Sequence, residues 1–427
     1  MTEQLGTLVP PRLRNDCFAL PPGIEWTPVD TALDLLRASL IPVVATEDLD
    51  VSMAVGRVLA RDAVAKRSNP PAPNSAVDGY GFAHAFTGEG PQTLPLVDGR
   101  AAAGVPFAGH VPGGTAIRIL TGAILPDGVD TVVLEEDTAS DGKRIAFHGP
   151  VKQRSNTRKA GEDVEEGGVV LPAGHRLRPP DLALLSAVGI ATVAVYRPLR
   201  MGVLSTGDEV VQGRQGKVLE ASRIYDANRP MLLAMAKRWN YEPVDLGHVG
   251  DDRVELAARF DQAAKDADVI FTSGGASAGD EDHVSALLKD AGALESWRIA
   301  VKPGRPLALG LWKGVPVFGL PGNPVAAFVC ALIFGRPALS VLAGSAWEVP
   351  DGFTVPAAFG KNKLAGRREY LRARLTPQGH AEVFRSEGSG RISGLSWATG
   401  LVEIGDDARQ IAPGDPVRFL PYGSFGL

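Results

Sequence analysis

The stretch from residue 200 to residue 344 constrains the fold most, because short apolar runs alternate in it with segments of helical periodicity. Apolar runs that predict strands lie at 200–205, 243–248 and 268–273. Each is followed by a segment whose apolar residues recur three and four positions apart, which predicts a helix. Further strands are predicted near 296–301, 306–312 and 315–320, before a last helix that starts at Pro324 with Asn323 as its N-cap. This alternation predicts a parallel-sheet α/β domain with crossover helices.

The sequence on either side lacks this alternation. A helix is predicted over 29–40, and a proline-rich stretch at 66–76 marks a boundary or an exposed loop. Residues 77–165 are rich in glycine with short strand-like runs, which is typical of a small β domain. Residues 345–427 show strands and turns only, which predicts a separate β domain. Its clearest strand alternates apolar residues with arginines: Leu371, Arg372, Ala373, Arg374 and Leu375.

Composition excludes several classes of function. The 427 residues carry a net charge of −5, which offers no basic field for nucleic acid or an anionic membrane. The two cysteines, Cys17 and Cys330, exclude a disulfide framework and indicate a reducing compartment. The N-terminus lacks a signal-peptide pattern, and the longest apolar run, 325–335, is about half of what a membrane span needs. We therefore expect a cytoplasmic protein.

Ligands of parallel sheets bind beyond the carboxyl ends of the strands. Loops at 205–209, 272–275 and 320–324 leave such ends, and a fourth segment places Arg298, Lys302 and Arg305 near the same edge. The loop after 273 contains three glycines and brings Asp280, Glu281 and Asp282 to the start of a helix. Glycines and a helix N-terminus suit a phosphate, and the carboxylates suit a cation such as Mg²⁺ beside it. These loops predict a site for a phosphorylated ligand together with a metal ion.

Simpler interpretations stay open for single residues. A glycine and serine loop after a strand is often a plain turn, and loop charges are often only solvated. No nucleophile with a base at suitable spacing, no P-loop and no GxGxxG pattern occurs. His248 and His283 are interpreted as surface or packing residues, and Cys330 as a small hydrophobe. The convergence of four loops favours the binding site over these alternatives.

Several motifs occur in an order that resembles one known family. They are NSAVDGY (74–80), RILTGA (118–123), GED (161–163), LSTGDE (204–209), IYDAN (224–228), SGGASAGDED (273–282), VKPGRP (301–306), GLPGNPV (319–325) and GR (366–367). On these motifs the sequence resembles the molybdopterin molybdenumtransferases, which include the E domain of gephyrin. The resemblance covers nearly the whole chain, and so many motifs in order make it specific.

The resemblance implies a homodimer of four-domain subunits. An extended N-terminal linker domain would contain 1–65 with 166–198, and a small β domain would contain 66–165. The α/β molybdopterin-binding domain would span 199–344, and a barrel-like β domain would span 345–427. The family takes molybdate and adenylylated molybdopterin, with a divalent cation, to molybdenum cofactor and AMP. Its site lies between one subunit and the small β domain of the partner subunit, and the pathway's adenylyltransferase and acceptor molybdoenzymes are implied as further partners.

The resemblance also implies roles for individual residues. The catalytic positions would be Asp78, Thr121, Glu209, Asp251, Asp282, Arg298, Lys302 and Arg305. Substrate would be bound by Ser205, Thr206, Gly207, Gly274, Gly275, Ser277, Pro321, Pro324, Arg367 and Ser389. Glu209 and Asp282 would hold Mg²⁺, while Lys302, Arg305, Arg367 and Ser389 would hold molybdate, a tetrahedral dianion.

The chain departs from the family at three places. Arg298 and Arg305 stand where lysine is common, and Ala326 stands where serine is common. Two other functions remain as alternatives. One is a gephyrin-like scaffold that binds partner peptides, and the other is an adenylyltransferase of the same pathway.

Overall fold

The structure is a computed structural model that forms two compact units. It describes residues 26–213, 220–274, 283–291, 294–304 and 306–427. The larger unit contains residues 26–44, 198–343 and 347–427, and the smaller unit contains residues 45–197 and 344–346. Helix α1 (Val29–Ser39) belongs to the larger unit and confirms the helix predicted over 29–40. The division into four domains stays a prediction.

The smaller unit is built mainly from short strands. They are β1 (Thr46–Asp50), β2 (Ala63–Val64), β3 (Asn74–Ser75), β4 (Gly79–Phe82), β5 (Gly90–Ala101), β6 (Ala116–Ile119), β7 (Thr131–Leu134), β8 (Ala139–Ser140), β9 (Arg144–Gly149), β10 (Thr157–Arg158), β11 (Val169–Leu171) and β12 (Thr192–Tyr196), with helix α2 (Pro179–Ala187). Six of them form one sheet in the order β7-β4-β6-β5-β9-β8. Phe82, Ile117 and Ile145 fill its core. The short strand-like runs predicted within 77–165 are confirmed, for example as β6 and β7.

The α/β part of the larger unit follows the predicted alternation. Its strands are β13 (Arg200–Thr206), β14 (Val210–Val211), β15 (Ile224–Tyr225), β16 (Glu242–Val249), β17 (Val269–Ser273), β18 (Leu294–Arg298), β19 (Val301–Lys302), β20 (Pro306–Trp312) and β21 (Val315–Leu320). Its helices are α3 (Asn228–Arg238), α4 (Arg253–Asp266), α5 (His283–Asp290), α6 (Pro324–Cys330) and α7 (Arg336–Leu342). The predicted strands and helices of this part are confirmed.

Six of these strands form a sheet in the order β16-β13-β17-β21-β20-β18. β13 pairs in parallel with β16 and β17, and β17 pairs in parallel with β21, as predicted. β20 runs antiparallel to both of its neighbours, β21 and β18, which the sequence analysis did not predict. The reason lies in the connection of β20 to β21, where Lys313 and Gly314 have φ values of 50° and 85°. Two residues with positive φ make a hairpin turn, whereas a parallel connection needs a dozen residues or more.

A helical segment of 19 residues, Pro324–Leu342, lies in the core of the larger unit. It joins α6 to α7 through a π-helical turn at Ala331–Gly335. Asn323 Oδ1 accepts a hydrogen bond from the Val325 N–H at 3.3 Å, which confirms the predicted N-cap. The mean hydropathy of this 19-residue segment is 2.0, so the apolar stretch is longer than the run 325–335. Since 94% of it is buried inside the protein, the segment is a core helix.

The C-terminal part of the larger unit contains β22 (Phe353–Pro356), β23 (Lys361–Lys363), β24 (Arg368–Leu375), β25 (Ala381–Val383), α8 (Ser393–Trp397), β26 (Gly400–Ile404), β27 (Arg409–Ile411) and β28 (Pro416–Pro421). Its sheet runs β19-β24-β26-β28-β22, with β25 beside β24. β19 follows directly after β18 in the sequence and pairs with β24, so that Lys302 lies opposite Glu369. The alternation predicted for β24 is wrong in part, since Leu375 is 43% exposed and Arg372 only 4%.

Candidate functional site

Several chain segments end at one edge of the α/β sheet. The parallel strands β13, β16, β17 and β21 point their carboxyl ends the same way, at Thr206, Val249, Ser273 and Leu320. The antiparallel pairing of β21, β20 and β18 brings Pro306 and Arg298 to that edge as well. The loops that follow the parallel strands and Arg298 therefore lie at the same edge of the sheet, as predicted.

Carboxylates gather where β13 and β16 end, in a region that we call the acidic end (Gly207, Asp208, Glu209 and Asp251). The Asp208 N–H donates to Asp251 Oδ2 at 3.1 Å, and the Asp251 N–H donates to Asp208 Oδ1 at 3.0 Å. His248 Nε2 lies 2.7 Å from the Gly207 carbonyl oxygen. The two aspartates thus fix each other through backbone amides, and His248 supports the loop.

The Glu209 carboxylate lies against the backbone of Gly207. A Cβ placed on Gly207 would stand 2.4 Å from Glu209 Oε2, and the φ of Gly207 is +120°. Only glycine combines this backbone conformation with this position of the carboxylate. Over the described ranges, no group of three metal-ligating side chains occurs, and Asp282, the predicted partner of Glu209, lies outside them.

The next two strand ends meet at Thr206 and Gly274. A Cβ placed on Gly274 would stand 2.7 Å from Thr206 Oγ1 and 3.0 Å from the Thr206 carbonyl oxygen, and the φ of Gly274 is +102°. Ser205 and Thr206 are both buried, and the Ser205 hydroxyl donates to Asp226 Oδ2 at 2.7 Å. The Thr206 hydroxyl donates to the Ser273 carbonyl oxygen at 3.4 Å, so both of these predicted substrate-binding hydroxyls make hydrogen bonds within the protein.

Asn228 is a site residue that the sequence analysis missed, although it ends the IYDAN motif. Its Nδ2 donates to Ser273 Oγ at 2.6 Å and to the Gly322 carbonyl oxygen at 2.7 Å. The side chain thereby ties the end of β17 to the loop after β21. Its Oδ1 is buried and has no hydrogen-bond partner in the part of the chain that the structure describes. A single buried amide has no periodic signal that could reveal it.

The loop after β21 continues the site toward the C-terminal sheet. A Cβ on Gly322 would stand 3.7 Å from Gly274 Cα, and one on Gly390 would stand 3.9 Å from Asn323 Nδ2. A Cβ on Gly304 would stand 3.8 Å from Pro321 Cγ and 2.9 Å from Cys330 Sγ. The acidic end, the glycine loops and the segment after Lys302 are therefore contiguous. Burial raises the pKa of the Cys330 thiol to about 12, so the thiol is protonated at neutral pH, and the side chain packs in the core as predicted.

A cavity of about 220 Å³ lies between Lys302, Val325 and the C-terminal sheet. Its lining includes Lys302, Pro303, Arg372, Arg385, Ser386 and Glu387. Lys302 Nζ lies 2.8 Å from Glu387 Oε2 and 3.3 Å from Glu369 Oε1. Lys361 Nζ pairs with Glu387 Oε1, and it lies 3.0 Å from Glu369 Oε2 without hydrogen-bond geometry. We call these four side chains the charge cluster. The sequence analysis identified Lys302 but missed Lys361, Glu369 and Glu387.

Arg372 holds the loop that borders this cavity. Its guanidinium donates to the carbonyl oxygens of Ser386 at 2.6 Å, Gly388 at 3.2 Å and Arg391. It also lies 5.1 Å from the centre of the Phe384 ring. These contacts explain why an arginine of β24 is buried, and they position Glu387 and the half-buried Ser389.

The other predicted residues of the larger unit lie along the same region. Pro321 is buried, whereas Pro324, Arg298 and Arg367 are partly exposed. Burial, together with the nearby charge of Arg367, lowers the pKa of Lys363. Four predicted site residues lie outside the described residues, namely Gly275, Ser277, Asp282 and Arg305.

Asp78 and Thr121 form a polar pair within the smaller unit. Asp78 Oδ1 accepts hydrogen bonds from the hydroxyl and the backbone N–H of Thr121, both at 2.7 Å. These bonds hold the pKa of Asp78 below its usual value, so the carboxylate is ionised at neutral pH.

Family models match most of the chain. Residues 27–189 match the MoeA N-terminal region (domain I and II), and residues 202–341 match a probable molybdopterin binding domain. Residues 354–422 match the MoeA C-terminal region (domain IV). The three matches follow each other in chain order, and together they support the resemblance inferred from the motifs.

Similar proteins agree with these matches. The molybdopterin molybdenumtransferase of Haemophilus influenzae is 36% identical over 384 residues, which cover 88% of this chain and 94% of that relative. That of Synechococcus elongatus is 32% identical, covering 91% of this chain and 97% of that relative. The crystal structure of the molybdopterin biosynthesis MoeA protein from Pyrococcus horikoshii superposes with a TM-score of 0.81 at 29% identity, covering 93% of this chain and all of that chain. The chain therefore belongs to the molybdopterin molybdenumtransferase family and is an enzyme of molybdenum cofactor biosynthesis.

Proposed function

We propose that the chain inserts molybdenum from molybdate into adenylylated molybdopterin and releases AMP in a Mg²⁺-dependent reaction. The observation that carries this proposal is the continuity of one sheet edge in the larger unit. Carboxylates lie at one end of that edge, and two glycines face each other in its middle. A cavity lined by Lys302, with Lys361 beside it in the charge cluster, lies at the other end. Adenylylated molybdopterin suits this order of side chains, because its phosphates would lie toward the carboxylates and the group that takes up molybdenum would lie toward the cavity.

The middle of the edge would hold the phosphate and the pterin. Gly274 and Gly322 have no side chains, and their backbones approach each other closely, so a ligand can lie directly against the main chain. Asn228 Oδ1, buried beside this place without a protein partner among the described residues, would accept a hydrogen bond from a ligand N–H. Pro321 and Pro324 would border the same surface.

Mg²⁺ fits the donor chemistry of the acidic end. The carboxylates of Asp208, Glu209 and Asp251 are hard oxygen ligands, which Mg²⁺ prefers. Glu209 with Asp282 would hold the ion, which would neutralise phosphate charge during release of AMP. Asp251 would support Glu209 through the loop that it shares with Asp208.

The basic residues would bind molybdate at the other end. Lys302, Arg305 and Arg367 carry the charge that a dianion needs, and the Ser389 hydroxyl would donate a hydrogen bond. Arg298 would add charge at the same sheet edge. No protein nucleophile is required, because positioning and electrostatics would suffice for cleavage. Asp78 and Thr121 would enter from the small β domain of the partner subunit in a cytoplasmic homodimer.

Release of AMP tests the proposal. Purified protein is loaded with adenylylated molybdopterin and mixed with molybdate, with Mg²⁺, with both or with neither, and free AMP is measured by chromatography. We expect AMP only when molybdate and Mg²⁺ are both present. AMP that stays bound in the presence of both would contradict the proposal. Consumption of ATP by the unloaded protein would instead favour an adenylyltransferase.

A further inference from the structure

The charge cluster is neutral as a whole, although it lies where the proposed function needs an anion site. Lys302 and Lys361 contribute two positive charges, and Glu369 and Glu387 contribute two negative charges. Lys361 is largely buried, with 10% of its side chain exposed. A dianion that enters beside four paired charges gains little net attraction. One of the two carboxylates therefore stands in the way of an incoming anion.

The two carboxylates differ in how firmly they are held. Glu369 lies on β24, its side chain is 9% exposed, and its backbone pairs with Lys302 on one side and Ile404 on the other. Glu387 lies on a loop, and its side chain is 43% exposed. Within the described part of the chain, the Glu387 side chain is bonded to Lys302 and Lys361 alone. Glu387 is thus the carboxylate that can move.

The loop around Glu387 stays in place when this side chain turns away. Arg372 binds the carbonyl oxygens of Ser386 and Gly388, which flank Glu387 on both sides. The cavity of about 220 Å³ that Glu387 borders has room for a five-atom oxyanion. Burial acts against its ionisation, but the hydrogen bonds from Lys302 and Lys361 hold the pKa of Glu387 below its usual value. Glu387 is therefore charged at neutral pH and competes as an anion.

We propose that Glu387 is a built-in competitor of the oxyanion substrate, and that a tetrahedral dianion binds by displacing its carboxylate from Lys302 and Lys361. Lys361 then joins Lys302 as an anion-binding residue. Displacement leaves two lysines and Glu369 in the charge cluster, which then has a net charge of +1. Glu387 sets the concentration of oxyanion at which the site fills. This inference rests on the proposed function, because it takes molybdate as the ligand of the cavity.

Binding of sodium molybdate to the full chain, measured by calorimetry, tests the inference. The Glu387→Gln variant keeps the shape of the side chain and removes its charge, so we expect molybdate to bind about tenfold more tightly than to wild type. The Glu387→Asp variant draws the charge back by one methylene and should give a smaller gain. In Glu387→Gln with Lys361→Met the gain should disappear, because the second cation is lost.

The matched control is Glu382→Gln. Glu382 lies in the same part of the fold, its side chain is 42% exposed, and it pairs with Arg374 rather than with the cluster. We expect its molybdate affinity to equal that of wild type. Equal or weaker binding by folded Glu387→Gln and Glu387→Asp would overturn the inference, even where wild type binds molybdate and releases AMP. If neither wild type nor any variant binds molybdate or releases AMP, the proposed function fails and the inference fails with it.

Discussion

The two ends of the candidate site are built in different ways. At the acidic end, backbone conformation fixes the charged groups, since Gly207 has a positive φ and Asp208 and Asp251 bind each other's amides. At the cavity, buried side chains hold one another, since Arg372, Lys361 and Glu369 are paired within the protein. The acidic end and the glycines beside it should therefore be sensitive to an added Cβ, and the cavity to a removed charge. The predictions test this contrast.

The largest effect is expected from Arg372→Ala. Loss of the guanidinium leaves carbonyl oxygens of the 386–391 loop without their donor, which should lower the free energy of unfolding by about 3 kcal/mol. Arg374→Ala is the control on the same strand. Arg374 is 45% exposed and pairs with Glu382, so its loss should cost less than about 1 kcal/mol. Denaturant unfolding measures both, and equal losses would contradict the role of Arg372.

Gly274→Ala should destabilise the middle of the edge by about 2 kcal/mol more than Gly414→Ala. The two glycines have similar φ values, +102° and +97°. A Cβ on Gly274 meets Thr206, whereas one on Gly414 meets nothing within 4 Å. The pair therefore separates the clash from the backbone strain. If the unfolding midpoints of both variants fall by the same amount, Thr206 moves to accommodate the new Cβ at little cost and the clash does not contribute.

Asn228→Ala removes two hydrogen bonds that tie β17 to the loop after β21. We expect a loss of about 1.5 kcal/mol in the free energy of unfolding. The exposed Asn362 is the control, and its replacement by alanine should change the stability by less than about 0.5 kcal/mol. The comparison fails if Asn228→Ala is as stable as Asn362→Ala.

The smallest effect concerns pH. The pKa of Glu387 is lower in the folded than in the unfolded chain, so its contribution to stability is present above the unfolded pKa and lost as the pH falls through the folded pKa. Because this side chain is partly exposed, the contribution should stay below about 1 kcal/mol. Urea titrations at pH 7 and pH 3.5 should show a smaller acid loss for Glu387→Gln than for Glu382→Gln. An equal loss would show that the lysines do not stabilise ionised Glu387.

The sequence predicted much of the α/β part and half of the site. Periodicity located the helices and six of the strands, β13, β16, β17, β18, β20 and β21, and the motif at 301–306 located Lys302. The hairpin had a local signal, the pair Lys313 and Gly314 between two apolar runs. The alternation of strands and helices before it favoured a parallel sheet instead. The charge cluster had none, because Lys361, Glu369 and Glu387 come from separate segments that only the tertiary fold brings together. The burial of Arg372 was not predicted for a related reason, since the carbonyl oxygens that it binds lie 14 or more residues further along the chain.

The most direct test asks whether the two ends serve different ligands. AMP release is measured against the concentrations of Mg²⁺ and of molybdate for wild type, Glu209→Gln and Lys302→Met. The account predicts that Glu209→Gln raises the Mg²⁺ concentration for half-maximal release about tenfold or more and leaves the molybdate dependence unchanged. Lys302→Met should raise the molybdate concentration for half-maximal release and leave the Mg²⁺ dependence unchanged. It removes a cation from the cavity but does not change the acidic end. A variant that shifts both dependences equally, or a Lys302→Met protein with wild-type molybdate dependence, would contradict the account.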